Sequence, residues 1–233
     1  MAAAEDETRA AEGAASVARL DAITRRLRRE CPWDRAQDER SIVPHTVEEA
    51  YELAEAAGSG DDAKLLDELG DVLFQVHFLA LLLEERGAGD LAAVAEHCRE
   101  KLVRRHPHVF GEVEVSGAGE VLANWEAIKR GEAGREPGVF GEVPENLPAL
   151  LYARKLLRRG SSSGIDYEGS DVRTAAERAA TLGTDPARDD AFAAIGDLML
   201  SAVALARELK VDPELALRAA ADAWKTQEES KRP

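Results

Sequence analysis

The chain has 233 residues, enough for one large domain or two small ones with a core that needs no covalent staples. Apolar residues make up 45% but aromatics only 5%, with Ala and Leu filling most apolar positions, which favours small-residue helix packing over a β-sandwich. A formal net charge of −15 argues against a nucleic-acid coat, which needs a basic face, and means that a phosphorylated ligand requires a bridging metal ion.

Residues 1–15 have the composition of a disordered tail, and without a basic start or an apolar run they do not form a signal peptide. Val17, Leu20, Ile23 and Leu27 then recur at helical spacing, predicting an amphipathic helix with Arg25, Arg26, Arg28 and Arg29 on its polar face. Cys31-Pro32-Trp33-Asp34 breaks it. A second helix is expected to start around Ser41 to Thr46, where Pro44 suits a first turn and Thr46 with Glu49 has the form of a capping box. It stops at Gly58-Ser59-Gly60. Asp61 or Asp62 caps a long third helix reaching about Arg86, with Leu65, Leu69, Val72, Leu73, Val76 and Leu79 as its buried stripe. The most apolar run, Val72 to Leu83, is too short to span a bilayer and contains Gln75 and His77. A fourth helix runs from Asp90 to about Arg105, and a short one covers Trp125 to Lys129. Residues 131–147, rich in Gly and Pro, read as a linker; helices follow near 148–159, 171–181, 187–210 and 213–229. No strand pair is evident, so the fold class is all-α. Cys31 and Cys98 have no partner motif, which fits a reducing, cytoplasmic setting.

The chain repeats itself. Glu68-Leu-Gly-Asp71-Val-Leu-Phe matches Ala194-Ile-Gly-Asp197-Leu-Met-Leu, Thr46 to Glu52 aligns with Asp171 to Glu177, and the helix at Leu20 with that at Leu150. Two copies of one helical unit are expected, at residues 16–130 and 148–233. The apolar positions coincide, but Glu48, Glu49, Glu52, Glu68 and Asp71 face Arg173, Thr174, Glu177, Ala194 and Asp197. Carboxylates needed only for folding should have been kept in both copies, so the first copy is the one expected to carry chemistry.

Glu48, Glu49 and Glu52 share one side of a helix, and Glu68 and Asp71, three apart, flank the stripe of the next. If the two helices pack antiparallel through the Gly58–Asp62 turn, five carboxylates meet, at a cost in repulsion and desolvation that a hard divalent cation removes. Oxygen ligands without His or Cys favour Mg²⁺ or Mn²⁺ over zinc. The bland alternatives are a capping role for Glu49 and an exposed face for Glu48 and Glu52. A carboxylate-bound metal can hold phosphates and activate water. Lys101, Arg104 and Arg105, with Trp125 and Lys129 beyond, would supply the positive groups, although the basic run also suits a helix C-terminus and Trp125 also suits a core.

These residues resemble a known family. Cys31-Pro-Trp-Asp34, Val43-Pro44, Glu48-Glu49-Ala-Tyr-Glu52, Glu68-Leu-Gly-Asp71, the segment Lys101 to Phe110 and Trp125-Glu-Ala-Ile-Lys129 look like the MazG signature, and the resemblance extends from about Leu20 to Lys225. It implies tandem helical units forming a bundle completed by homodimerisation, and Mg²⁺-dependent hydrolysis of nucleoside triphosphates between the α and β phosphates, with Mn²⁺ as a substitute. Carried over by motif, Glu49, Glu52, Glu68 and Asp71 would be metal ligands, and Glu48 would bind metal or orient the attacking water. Lys101, Arg104, Arg105 and Lys129 would contact phosphates, and Trp33 or Trp125 would face the base. A dimer face is also expected at Leu81–Leu83, whose side chains continue around the long helix. Two other classes compete with this reading. A phosphohydrolase of the HD class needs a His-Asp dipeptide, which this sequence lacks. A non-catalytic nucleotide-sensing or partner-binding helical protein would bind nucleotides without turnover.

Overall fold

The computed structural model describes residues 2–132, 138–141, 143–183 and 186–231, which form helices and no strand. They divide into two compact units, Met1–Phe110 and Gly111–Pro233.

In the first unit, α1 (Ala2–Glu30) begins well before Val17, so the expected disordered tail is helical from Ala2 on. Residues 5–19 are exposed, and the helix there rests on the high propensity of Ala and Glu and on propagation from the packed turns that follow. Its arginine face is not merely solvated. Arg25 forks onto Glu84 at 2.9 and 2.6 Å, and Arg28 forks onto Glu85 while donating to the carbonyls of Asp34 and Gln37. The short α2 (Pro32–Ala36) has its proline in the first turn, where a missing N–H costs nothing.

The second expected helix, α3 (Glu39–Ser59), also starts earlier than its sequence suggests. The capping box is Asp38 with Ser41, whose side chains accept from one another's backbone N–H at 2.9 Å. Thr46, by contrast, donates back to the Ile42 carbonyl at 3.3 Å, and Pro44 lies inside the helix, where it leaves one backbone bond unmade. The helix ends at Gly60, whose φ of 73° is a left-handed conformation suited to glycine. One residue later Asp61 accepts from the N–H groups of Ala63 and Lys64 and starts α4 (Asp62–Glu85).

The core is the second half of α4 packed on α3: Phe78, Leu82 and Ile42, with Phe74 and Leu79 against them. Two expectations about this helix change. Leu81 and Leu82 are buried within their own unit, and Leu83 is half-buried, so they offer no dimer face. The predicted stripe is at most half-buried: Leu65, Val72 and Leu79 are half-buried, while Leu69 is 49% exposed, Leu73 38% and Val76 39%, with Leu66 at 74% beside them. Periodicity marks an apolar face without saying what covers it. After a tight turn, Asp90 caps α5 (Leu91–Arg105), which packs on α4 and leads into the single turn α6 (Pro107–Phe110).

The second unit comprises α7 (Ala118–Arg130), α8 (Ala149–Ser162), α9 (Val172–Ala180), α10 (Arg188–Glu208) and α11 (Pro213–Ser230). Within it α10 packs on α9, α8 and α11, as α4 packs on α3, α1 and α5 in the first. The division falls after Phe110 rather than at residue 130, so α7 groups with the second unit. Of the expected linker 131–147, residues 133–137 and 142 lie outside the described residues, and the remainder is not helical. Among the described residues no helix is long and apolar enough to cross a membrane.

Candidate active site

The α3–Gly60–α4 hairpin is the device that sets the site. A left-handed glycine followed directly by an Asp N-cap returns the chain within three residues, so the Glu-rich stretch of α3 faces the first half of α4. There Glu49, Glu68 and Asp71 each place one carboxylate oxygen within 4.8 Å of the other two. Glu49 and Glu68 are half-buried and Asp71 is exposed. Glu52, exposed on α3, stands close enough to act electrostatically on both glutamates.

This arrangement is unfavourable without a counter-charge. The Glu49 carboxyl is pushed above the usual carboxylate range, first by desolvation and then by the charges of Asp71, Glu52, Glu68 and Glu48. Glu68 moves the same way, by desolvation and then by Glu52, Asp71, Asp67 and Glu55. Oxygen Oε2 of Glu68 is buried and has no hydrogen-bond partner among the described residues. Orphaned acceptors among like charges are what a hard cation satisfies, and an all-oxygen set fits Mg²⁺ or Mn²⁺. The residues present therefore fit a divalent metal.

Glu48 is placed differently. Its Oε2 lies 3.1 Å from Nδ1 of His45, one turn earlier on the exposed side of α3. The His45 ring in turn meets Trp33 of α2 at a centroid distance of 5.9 Å, and Trp33 is half-exposed. His45 was missed by sequence reasoning. Its signal is the i, i+3 spacing to Glu48, which is weak because the histidine belongs to no ligand motif.

The basic residues fall in two places. Lys101, Arg104 and Arg105 occupy the last turns of α5, on the unit that holds the carboxylates. Trp125 and Lys129 lie on α7 in the second unit, with the Lys129 ammonium 4.5 Å from the centre of the Trp125 ring. In the second unit the position matching Asp71, Asp197, is 3.5 Å from the guanidinium of Arg178. A fixed cation there stands against the one carboxylate retained from the α4 pair.

Comparison with known proteins shows the family. Residues 37–110 match the MazG nucleotide pyrophosphohydrolase domain, a stretch that contains Glu48, Glu49, Glu52, Glu68 and Asp71. The chain is 38% identical over 195 residues to the nucleoside triphosphate pyrophosphohydrolase/pyrophosphatase MazG of Thermotoga maritima, covering 82% of this chain and 74% of that one. It is 35% identical over 218 residues to the nucleoside triphosphate pyrophosphohydrolase of Escherichia coli (strain K12), covering 87% and 81%. A crystal structure of a mazG-related protein from Thermotoga maritima aligns with 48% of this chain and 97% of its own, at 28% identity and a TM-score of 0.43. With two relatives above 30% identity over most of both chains, the chain belongs to the MazG family of nucleotide pyrophosphohydrolases and is an all-α hydrolase.

Proposed function

We propose that the protein hydrolyses nucleoside triphosphates to the monophosphate and pyrophosphate, by attack of water between the α and β phosphates, at the acidic site of the first unit. The observation that carries this reading is the meeting of Glu49, Glu68 and Asp71 within 4.8 Å beside an orphaned Glu68 oxygen. Glu49, Glu52, Glu68 and Asp71 would hold Mg²⁺, with Mn²⁺ able to replace it. A divalent cation bound there supplies charge shielding for the triphosphate and acidifies water for attack. Glu48, held by His45, orients the water and takes its proton; the imidazole keeps the carboxylate in place. Lys101, Arg104 and Arg105 bind phosphate oxygens, and Trp33 stacks on the base. The family names of the relatives support the bond that is cut, and removal of unwanted nucleotides from the cytoplasmic pool is the physiological role that we assign to it.

The working form in this reading is a homodimer without nucleic-acid or membrane partners. Leu66, Leu69, Leu73 and Val76 recur at alternating three- and four-residue spacing, and they stay exposed on the helix that carries Glu68 and Asp71. This is a seam of the kind that a second helix covers. Phe192, Ile195 and Met199 repeat it on α10.

The test is product analysis with each common nucleoside triphosphate and Mg²⁺, with Glu52→Gln alongside. Monophosphate and pyrophosphate from the wild type alone support the reaction and its site. Orthophosphate and diphosphate would mean that another bond is cut, and equal turnover by Glu52→Gln would remove the site from the first unit.

A further inference from the structure

We propose that the cleft between α7, α8 and α10 in the second unit binds a guanine nucleotide. Its volume is about 560 Å³, within the range of small-ligand pockets. At its wall sits Glu126, only 7% exposed, whose Oε1 is buried without a hydrogen-bond partner among the described residues. Two cations among the described residues, Lys129 Nζ and Arg158 Nε, stand off that oxygen at 3.9 Å, beyond hydrogen-bonding reach. Around the cleft stand Arg158, Arg207 and Lys210, and Leu122 and Ala123 give it an apolar side.

The internal repeat separates these groups from what the fold requires. In the register that aligns Gly70-Asp71 with Gly196-Asp197, Arg207 stands where the first copy has buried Leu81, and Lys210 stands where it has Glu84. One nitrogen of Arg207 donates to the Leu157 carbonyl at 2.7 Å, which fixes its guanidinium. Lys210 has a φ of 59°, the only non-glycine residue in the left-handed region among those described. Glycine is the usual solution just after a helix end, so a lysine kept there points to a use for its side chain.

The combination selects the ligand. A bare phosphate would meet a buried carboxylate, and a metal ion would meet three cations. A ligand with an anionic end and a pair of adjacent hydrogen-bond donors satisfies both ends at once. Guanine offers that pair, N1–H and the exocyclic amino group, to the two oxygens of Glu126, while its phosphates reach Arg158, Arg207 and Lys210. The adenine edge offers a donor next to an acceptor and matches only one oxygen.

The cleft is lined by residues of the second unit and the acidic cluster by residues of the first, and calorimetric titration of the full chain with GMP in EDTA, where the cluster repels anions, isolates the cleft. GMP is expected to bind at least tenfold more tightly than AMP or inorganic phosphate. Arg207→Leu, which installs the residue of the first copy, and Lys210→Gly, which relieves the backbone, should each weaken GMP binding at least tenfold with unchanged circular dichroism. Glu126→Gln should erase the preference for GMP over AMP. Equal binding of the three probes, no binding, or variants that bind like the wild type would each overturn the proposal. Asp71→Asn should leave GMP binding intact. If it alone abolished binding, the nucleotide would be in the first unit and this site would be refuted, with the acidic-site reading untouched.

Discussion

Leu66→Asp is expected to dissociate the proposed dimer without unfolding the unit. Leu66 is 74% exposed on α4, so its own unit loses little when the side chain changes. Full burial of a leucine contributes about 1.5–3 kcal/mol, so covering the exposed three quarters contributes about 1–2 kcal/mol. In a two-fold interface each substitution occurs twice, which gives roughly 2–4 kcal/mol, and two carboxylates must also be desolvated. At about 1.4 kcal/mol per factor of ten, the dissociation constant should rise by at least ~30-fold, and on the higher figure by several hundredfold. Sedimentation velocity over a wide concentration range measures this directly, with thermal melting as the check on folding. A folded variant that associates as the wild type does would refute the seam as the dimer contact.

Three further outcomes follow from the same geometry. Saturating Mg²⁺ should raise the melting temperature of the wild type by about 5–10 °C, taking ~2.7 kcal/mol at a hundredfold excess over the dissociation constant, and Glu68→Gln should abolish the shift; equal shifts in both would place the ion elsewhere. In EDTA, the raised Glu49 and Glu68 carboxyls contribute stability that is present below the ordinary carboxylate range and is lost as pH rises through their folded values. The melting-temperature advantage of Glu49→Gln over wild type should therefore grow from about pH 4 to pH 7, and a constant difference would contradict the repulsion. Replacing Arg28 by Met leaves the carbonyls of Asp34 and Gln37 without their shared donor, at a cost of about 2–4 kcal/mol in urea unfolding; kcat below the transition should be retained, because Arg28 binds structure and not substrate.

The parts of this fold legible in the sequence are those where one local rule has no competitor. Asp61 after Gly60 gives both a helix stop and a start, and α4 follows from periodicity over its whole length. Competing local rules misled the reading elsewhere. Thr46 with Glu49 has the spacing of a capping box, but Asp38 with Ser41 forms one first, and a helix already under way absorbs Pro44. The tail at residues 1–15 has polarity that reads as disorder and propensity that reads as helix, and propensity prevails when a packed helix follows. In the site, the convergence of Glu49, Glu68 and Asp71 was readable because helical spacing fixes each pair and the short turn fixes their pairing. The turning of Glu48 towards His45 and Trp33 was not, since it depends on where α2 lays its indole, which no spacing encodes.

The second unit offers the sharpest test of whether the carboxylates of the acidic cluster suffice to hold a metal ion. It keeps Glu177 and Asp197 at positions matching Glu52 and Asp71, but Thr174 and Ala194 replace Glu49 and Glu68. Arg178, matching Leu53, lies 3.5 Å from Asp197. A guanidinium so placed opposes a divalent cation in the same seat, and the two missing glutamates remove its ligands. Arg178→Leu alone should therefore gain nothing, because two carboxylates are too few for a hard cation that takes six oxygens. Arg178→Leu with Thr174→Glu and Ala194→Glu should gain a site, measured as extra Mn²⁺ bound per folded chain in equilibrium dialysis. The added carboxylates should also destabilise the metal-free chain, and Mn²⁺ should reverse that loss. If the triple variant folds, shows the loss and binds no more metal than the wild type, four carboxylates on a helical hairpin are not sufficient. The first unit would then owe its affinity to groups beyond the hairpin, with the Glu48–His45 pair and the basic end of α5 the next to vary.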